Sequence, residues 1–499
     1  MRHSSDHLPL ALYSAAQVRA LDAALIAAGT PGFELMHRAA QAIWRALRRE
    51  WPVAGALTVL AGHGNNAGDG YLIAALAQRA GWPVRVLAVS EPQRLQGDAA
   101  RAYHEARAAG VEVLAWSESC QARGVLVDAL LGTGLRGEVR EPYAAAIEWV
   151  NRSGYPVLAV DNPSGICADT GQVLGAAVKA QLTVTLIGLK LGLYVGAALD
   201  HVGRLLFDSL KADAELVASQ QSTARRLAGE LLPQVPARQP TTHKGQLGHL
   251  LVVGGDQGTG GAALLSAQSA LRGGAGMVSL ATRAENIGAA QTRLPEVMSL
   301  AVASANQLHA LADRITVWVV GPGLGQGAWG RSLLSAAVAA GGAQVWDADA
   351  LNLLAAGAVR IAPGSVITPH PGEAARLLGI STAALQADRP AAARALARRY
   401  DVVCVLKGAG TLVADPGGRL LVCDRGDPVM AGAGLGDVLA GLIGALLAQG
   451  CSAWDAAGLG VWVHACAGES LAGKGNGLAA SDLCDAIRDL LKERAACRN

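Results

Sequence analysis

What most limits the folds open to this chain is a unit that recurs along it: a short, almost uninterrupted apolar run that stops abruptly in glycines and oxygen-bearing side chains. "ALTVLAG" runs into "HGNNAGDG", "GVLVDALLGTG" and "YPVLAVDNPSG" repeat the form, and "LTVTLIGLKLG" closes the series. A strand that is apolar at nearly every position has no wet face. Such strands belong to parallel sheets covered by helices on both sides. "GYLIAALAQRAG", after the first of them, carries the apolar spacing of a covering helix. Polar residues gathered where these strands end lie where open α/β sheets bind ligands.

The texture changes at "STARRLAGELLPQVPARQP", where Pro233, Pro236 and Pro240 interrupt any periodicity. A second series follows: "GHLLVVGGDQGTGGAALLSAQSALRGGAG", "ITVWVVGPGLG", "QVWDADALNLL", "SVITPHPGEAARLLG", "VVCVLKGAGTLVAD" and "AGAGLGDVLAGLIGALLAQG". The chain therefore reads as two α/β domains, residues 1–221 and 241–499, joined by a linker at 222–240.

Composition narrows the partners. A net charge of +2 with scattered arginines offers no surface to a nucleic acid, and aromatic residues at 4% exclude a broad aromatic recognition face. No apolar run has the length of a membrane span. The eight cysteines show neither CxxC nor zinc-ligand spacing, so free thiols in a reducing cytoplasm are expected. "LPLALYSAA" has some look of a signal segment, but Ser14 and Gln17 form a capping box that opens a helix with Val18, Leu21 and Leu25 on one face.

Two strand-end clusters carry the chemistry. In the first, "GHGNNAGDG" departs from G-x-G-x-x-G because Ala67 stands at its third glycine, and an ordinary turn needs none of Asn65, Asn66 and Asp69. Asp128 ends the next such strand, and Asp161 and Ser164 end another. Each alone reads as an Asx or Ser turn; three oxygen-rich ends on one sheet edge read as a site. In the second, Gly432, Gly434 and Gly436 precede a helix starting near Asp437. Bare amides there suit a phosphoryl group, and an aspartate suits removal of a hydroxyl proton. An N-cap role explains Asp437 without explaining the glycines. His370 and Glu373 end another strand, as does Lys407, and each alone reads as structural. Asp347, Asp349 and Asn352 of "DADALN" either hold Mg²⁺ through water or cap the next helix.

Over residues 10–215, "YSAAQVRALD", "GNNAGDG", "VDALLGTG" and "VDNPSG" resemble the NAD(P)H-hydrate epimerase domain of the YjeF N-terminal type, a Rossmann-like doubly wound fold. Ala67 replaces a glycine of that family's NNGGDG. The resemblance implies K⁺ held by Asn66, Asp128 and Ser164. It implies hydrated-nucleotide contacts from Asn65, Asn66, Ala67, Gly68 and Asp69, and from Gly132, Thr133, Gly134, Leu135, Arg136, Gly137 and Glu138, with Asp161 at the reacting ring. Over 225–495, "KGQLG", "GGAA", "GPGLG", "DADALNLL", "TPHPGE", "LKGAGT" and "GAGLGDVLAGLIGALLAQG" stand in the order of the ADP/ATP-dependent NAD(P)H-hydrate dehydratase family, of ribokinase-like fold. That resemblance implies hydrated-dinucleotide contacts from Ala262, Gly323, His370 and Asp437. It implies adenine-nucleotide contacts from Lys407, Gly408, Ala409, Gly410, Thr411 and Gly436, with Mg²⁺ accompanying ADP or ATP.

The implied protein is bifunctional: an isomerase interconverting R and S forms of hydrated NADH or NADPH (NADHX, NADPHX), and a lyase that dehydrates the S form at the expense of ADP, giving AMP and phosphate, or of ATP. Both folds commonly self-associate, so a homo-oligomer is compatible with it. The rival reading is a ribokinase-like kinase for a hydroxymethylpyrimidine, thiazole or sugar.

Overall fold

The computed structural model describes residues 8–53, 55–235 and 237–494, and the chain divides into two compact units after Arg225. The dividing point falls inside the segment expected as a linker, which carries a short strand, Ala224–Arg226, and a 3₁₀ turn, Gly229–Leu231.

The N-terminal unit holds β1 (Leu57–Ala61), α1 (Asn65–Arg79), β2 (Val84–Ala88), β3 (Glu112–Ala115), β4 (Val125–Ala129), α2 (Tyr143–Arg152), β5 (Val157–Val160), β6 (Leu182–Leu186) and β7 (Arg204–Asp208). Its 7-stranded sheet runs β3-β2-β1-β4-β5-β6-β7 and every pairing is parallel. This is the doubly wound order, and it reverses direction between β1 and β4, where the loops diverge and leave a crevice. β1, β4, β5 and β6 are buried at every residue, as their unbroken apolar runs predict. Side chains such as Val59, Val127, Leu158 and Val184 fill the core, each worth about 1.5–3 kcal/mol of burial.

The capping box at Ser14 and Gln17 is present and opens the helix Ala15–Ala27, with Val18, Leu21 and Leu25 buried. One expectation is corrected. Residues 65–69, read as loop before a helix starting at Gly70, are the first turn of α1. Gly64, at φ 87°, is the cap and turns the chain directly into the helix. The glycines that follow serve packing: a Cβ on Gly70 would lie 2.6 Å from that of Ala129, so α1 settles directly on β4.

The C-terminal unit holds β8 (His249–Val253), α3 (Gly260–Arg272), β9 (Met277–Thr282), β10 (Met298–Ala301), β11 (Val317–Val320), β12 (Ala343–Trp346), β13 (Val366–Ile367), α4 (Pro371–Leu378), α5 (Arg389–Tyr400), β14 (Val403–Leu406), β15 (Thr411–Ala414), β16 (Leu420–Cys423), α6 (Leu435–Ala448) and α7 (Ala453–Leu471). Its strand order is β10-β9-β8-β11-β12-β13-β14-β15-β16, parallel as far as β14 and antiparallel beyond. Here the order reverses between β8 and β11. The segments after β8, β11, β12, β13 and β14 therefore emerge along one edge, and α6 points its N-terminus at them. No helix among the described residues is long and apolar enough to cross a membrane.

Candidate active sites

In the N-terminal unit a cavity of about 590 Å³ opens over the strand ends. Asn65, Asn66 and Asp69 of α1, the loop Gly132–Arg136 after β4, and Asp161 after β5 line it. Gly137 and Glu138 lie outside its lining, and Ala67 and Gly68 are on the buried face of α1. The alanine in place of a glycine is thus accommodated in the core, away from the cavity. The first-turn amides of α1 have no side-chain cap, which leaves them available to an anion.

Asp161 sits at φ 66°, a backbone region uncommon for residues other than glycine, and Ile187, which also lines the cavity, sits at φ 64°. Such strain persists only where the surroundings impose it. The restraint here is Lys190. Its side chain is fully buried, and Nζ donates to Asp161 Oδ1, to Thr185 Oγ1 (3.0 Å) and to the Leu186 carbonyl (3.0 Å). The Leu186 amide also donates to Asp161 Oδ1 (2.9 Å). Burial pulls the Lys190 ammonium down from its ordinary value, against the pull of Asp161. Three further carboxyls line the cavity, Asp22, Asp69 and Asp98. Asp69 is raised well above the usual range by burial, then by Asp161 and Asp22; Asp22 is raised by burial, then by Asp161. The cavity therefore holds one clamped carboxylate and a neighbour that keeps its proton more readily.

Behind this wall Asp128 and Ser164 touch. Ser164 Oγ donates to Asp128 Oδ1 (2.6 Å), the Ser164 amide donates to Oδ2 (2.8 Å), and the Leu131 amide donates to Ser164 Oγ (2.8 Å). Asn66 lies against Gly132, the next residue of that loop, and its Nδ2 is buried without a hydrogen-bond partner. Asp128 is fully buried, and among the described residues no lysine or arginine pairs with it. Burial pushes its carboxyl up to about 6, against the hydrogen bonds from Ser164 and Leu130. A buried carboxylate without a cationic partner, a hydroxyl and the carbonyl oxygen of the Asn66 amide form an oxygen-donor set that fits a monovalent cation.

In the C-terminal unit Gly434, at φ 84°, caps α6, again with no side-chain cap. Asp437 is the third residue of the helix, so the N-cap alternative is corrected: the cap is Gly434, whose left-handed backbone an aspartate would adopt less readily. Burial and the charge of Asp347 push Asp437 up to about 7, and Lys407 opposes them. Lys407 donates to Asp347 Oδ1 (2.7 Å), which also accepts from Thr368 Oγ1 (2.9 Å). Burial lowers the Lys407 ammonium, but Asp347, Glu373 and Asp437 outweigh it and the net shift is upward. A Cβ on Gly436 would stand 3.0 Å from Lys407 Nζ and 3.6 Å from Asp347 Oδ2, so the helix start, the lysine and the aspartate converge.

His370 is the N-cap of α4. Its Nδ1 accepts from the amides of Gly372 (3.0 Å) and Glu373 (3.4 Å), while its own amide donates to Glu373 Oε2 (2.8 Å). Burial, Lys407 and Arg376 lower its imidazole, and burial raises Glu373 to about 7. The Gly323 carbonyl accepts from the Asp256 amide (2.6 Å) and from Thr259 Oγ1 (2.8 Å), which ties the "GPGLG" turn to the residues leading into α3 and Ala262. Asp349 accepts from the Gly325 amide (2.9 Å) and Gln326 Nε2 (3.1 Å), so both "DADALN" carboxylates already have protein partners. The turn from Lys407 to Thr411 rests on Arg389, which is buried and donates to the Lys407 carbonyl (3.1 Å); burial lowers that guanidinium to about 10.

Sequence reasoning missed Lys190, Asp22 and Arg389. Lys190 had a signal: a lysine inside the apolar run "LTVTLIGLKLG" has to be paired if that strand is buried. Asp22 looks like any solvent-facing helix residue, and Arg389 like any helix-start cation.

Residues 32–192 match the family described as YjeF-related protein N-terminus, and residues 250–489 match NAD(P)H-hydrate dehydratase. The bifunctional NAD(P)H-hydrate repair enzyme Nnr of Coxiella burnetii is 43% identical over 96% of this chain and 99% of its own. The Escherichia coli K12 enzyme of the same name is 43% identical over 94% of this chain and 91% of its own. A ribokinase-like superfamily protein from Enterococcus faecalis V583 superposes with a TM-score of 0.52 at 26% identity, covering 55% of this chain and 97% of that one. With both halves matched in order and the likeness running nearly end to end, the chain belongs to the bifunctional NAD(P)H-hydrate repair enzyme family.

Proposed function

We propose that this chain repairs hydrated NADH and NADPH in two steps: R/S interconversion in residues 1–221 and nucleotide-dependent dehydration of the S form in residues 241–499, with 222–240 joining them. One observation carries the reading. Each unit places a glycine-capped helix N-terminus beside an Asp–Lys pair and a second carboxyl that burial and a neighbouring aspartate raise above its ordinary value.

The substrate carries a hydroxyl on ring carbon 6, next to the ring nitrogen. In the dehydratase half, Asp437 takes the hydroxyl proton as the oxygen attacks the terminal phosphoryl group of the nucleotide. The bare amides at the start of α6 and the Lys407 ammonium hold the transferring group's charge. The ring nitrogen lone pair then expels phosphate, and loss of the carbon-5 proton restores the double bond. With ADP the balance is hydrate plus ADP giving reduced nucleotide, AMP and phosphate. Ala262, Gly323 and His370 line the hydrate's place, and residues 407–411 with Gly436 line the adenine nucleotide's. Mg²⁺ enters on the nucleotide phosphates, which supply oxygen ligands.

In the epimerase half Asp161, oriented by Lys190, accepts the hydroxyl proton, and the more readily protonated Asp69 returns one. The carbon 6–nitrogen bond breaks to leave an aldehyde as the nitrogen takes the proton from Asp69, and the reverse transfers reclose the ring on either face of that aldehyde. K⁺ sits at Asn66, Asp128 and Ser164, where it supplies the positive charge that Asp128 otherwise lacks. The described cysteines are free thiols, which suits a cytoplasmic protein.

The test gives purified protein ADP or ATP, Mg²⁺ and K⁺ with a mixture of R and S hydrates. Complete recovery of reduced-nicotinamide absorbance with one phosphate released per dinucleotide is expected. Recovery that halts when the S form is spent would remove the epimerase assignment. Accumulation of a phosphorylated alcohol would favour the kinase reading.

A further inference from the structure

His63 stands on the rim of the N-terminal cavity, between the end of β1 and the cap of α1. Its place is set from behind. A Cβ on Gly62 would be 1.9 Å from the Leu130 carbonyl oxygen and 3.1 Å from the Tyr143 ring, so the chain is wedged there. Tyr143, the first residue of α2, places its hydroxyl 2.7 Å from His63 Nδ1 and 2.6 Å from the Ser90 hydroxyl, which follows β2. Three elements thus meet in one chain of hydrogen bonds that ends on an imidazole facing the cavity.

The direction of that chain decides what the imidazole offers. When Ser90 donates to the tyrosine oxygen and Tyr143 donates to Nδ1, the proton of neutral His63 must be on Nε2. The adjacent Gly64, Asn65 and Asn66 belong to the uncapped start of α1, while Asp22, Asp69 and Asp161 line the same cavity. A diphosphate is repelled by these carboxylates and attracted to the donors.

We propose that His63, held by Tyr143 and Ser90, donates Nε2–H to the diphosphate of the hydrated dinucleotide and so sets affinity in the N-terminal site. This rests on the epimerase reading of the cavity. It gives a ligand-binding role to a residue before the "NNAGD" stretch and makes Tyr143 and Ser90 its positioning residues.

The test compares His63→Ala, His63→Gln and Tyr143→Phe in the full chain. It measures R/S interconversion and its inhibition by ADP-ribose, which keeps the diphosphate and lacks the ring. His63→Ala is expected to raise KM and the ADP-ribose inhibition constant about tenfold with kcat within about twofold. His63→Gln, which also presents an N–H donor, recovers most of the loss. Tyr143→Phe costs about threefold, and adding it to His63→Ala costs nothing more. Unchanged KM and inhibition in His63→Ala, a fall in kcat alone, or full additivity of the two variants would overturn the proposal. Should the unmodified chain fail to interconvert epimers, the epimerase reading falls separately. Calorimetric binding of ADP-ribose then decides on His63, the C-terminal unit contributing equally to both chains: about tenfold weaker binding in His63→Ala supports the contact, and equal binding removes it.

Discussion

The two sites share a plan and differ in where the lysine stands. Lys190 is 0% exposed, lies outside the cavity lining and serves Asp161 from behind. Lys407 is 19% exposed, pairs with Asp347 and also comes within reach of the helix start at Gly436. A hidden cation can orient a carboxylate. Only a cation that shares the helix's anion-binding space can also meet a phosphoryl group. The difference matches the chemistry proposed for each half: proton transfer on a carbinolamine in one, phosphoryl transfer followed by loss of phosphate in the other. Both sites hold non-glycine residues with positive φ: Asp161 and Ile187 in the first, and Ala348, beside Asp347, in the second.

The comparison breaks most visibly at Asp437. Asp437→Asn is expected to slow nucleotide-dependent recovery of reduced nicotinamide by roughly 10³-fold, with R/S interconversion untouched. In the unmodified chain the dehydration rate should rise with pH through about 7, as Asp437 loses its proton, and level off above. A rate that falls with pH across that range would deny it the role of base.

Next come the lysines. Lys190→Met removes the cation that orients Asp161 at the cavity wall, so a drop in epimerisation, read by epimer ratios, is expected, with a smaller change in denaturant unfolding because Asp161 keeps access to water. Lys407→Met should lower the dehydratase kcat as well as raise the KM for ADP or ATP, and it leaves the buried Asp347 unpaired. Identical behaviour of the two variants would mean that the lysines do the same work.

Asp128 gives a smaller effect with a definite sign. Its folded value of about 6 exceeds the ordinary 3.8, so between those pH values the folded chain keeps a proton the unfolded chain has released. Stability therefore falls as pH rises across that window, by roughly 3 kcal/mol in all. K⁺ at the site proposed for it would offset the deficit, so it should raise the melting temperature well above pH 6 and have little effect near pH 4. Asp128→Asn should remove the K⁺ response, and a K⁺ shift that persists in that variant would place the ion elsewhere. The smallest change is His370→Ala, which removes the α4 cap at a cost of about 1 kcal/mol and raises the dehydratase KM a few-fold. A large fall in kcat instead would show the imidazole acting in the reaction.

Much of this plan was legible in the residues. Unbroken apolar runs ending in glycine and oxygen donors announced two parallel sheets, because a strand buried on both faces tolerates nothing else. The positions of Asp128, Asp161, Lys407 and Asp437 at element ends followed from the same pattern. The start of α1 was misplaced by five residues, since "NNAGD" has poor helix propensity and only its packing on β4 makes it helical. The histidine cap at His370 was equally hidden, because imidazole is not a usual N-cap side chain.

By itself the sequence determined the two α/β units, their order, and which strand ends carry chemistry, because local periodicity and turn residues encode those directly. Only the tertiary structure decided which charges meet: Lys190 with Asp161 is 29 residues apart and Lys407 with Asp347 is 60. Such pairings depend on strand order and sheet twist, and the resulting burial sets how firmly each carboxyl holds its proton.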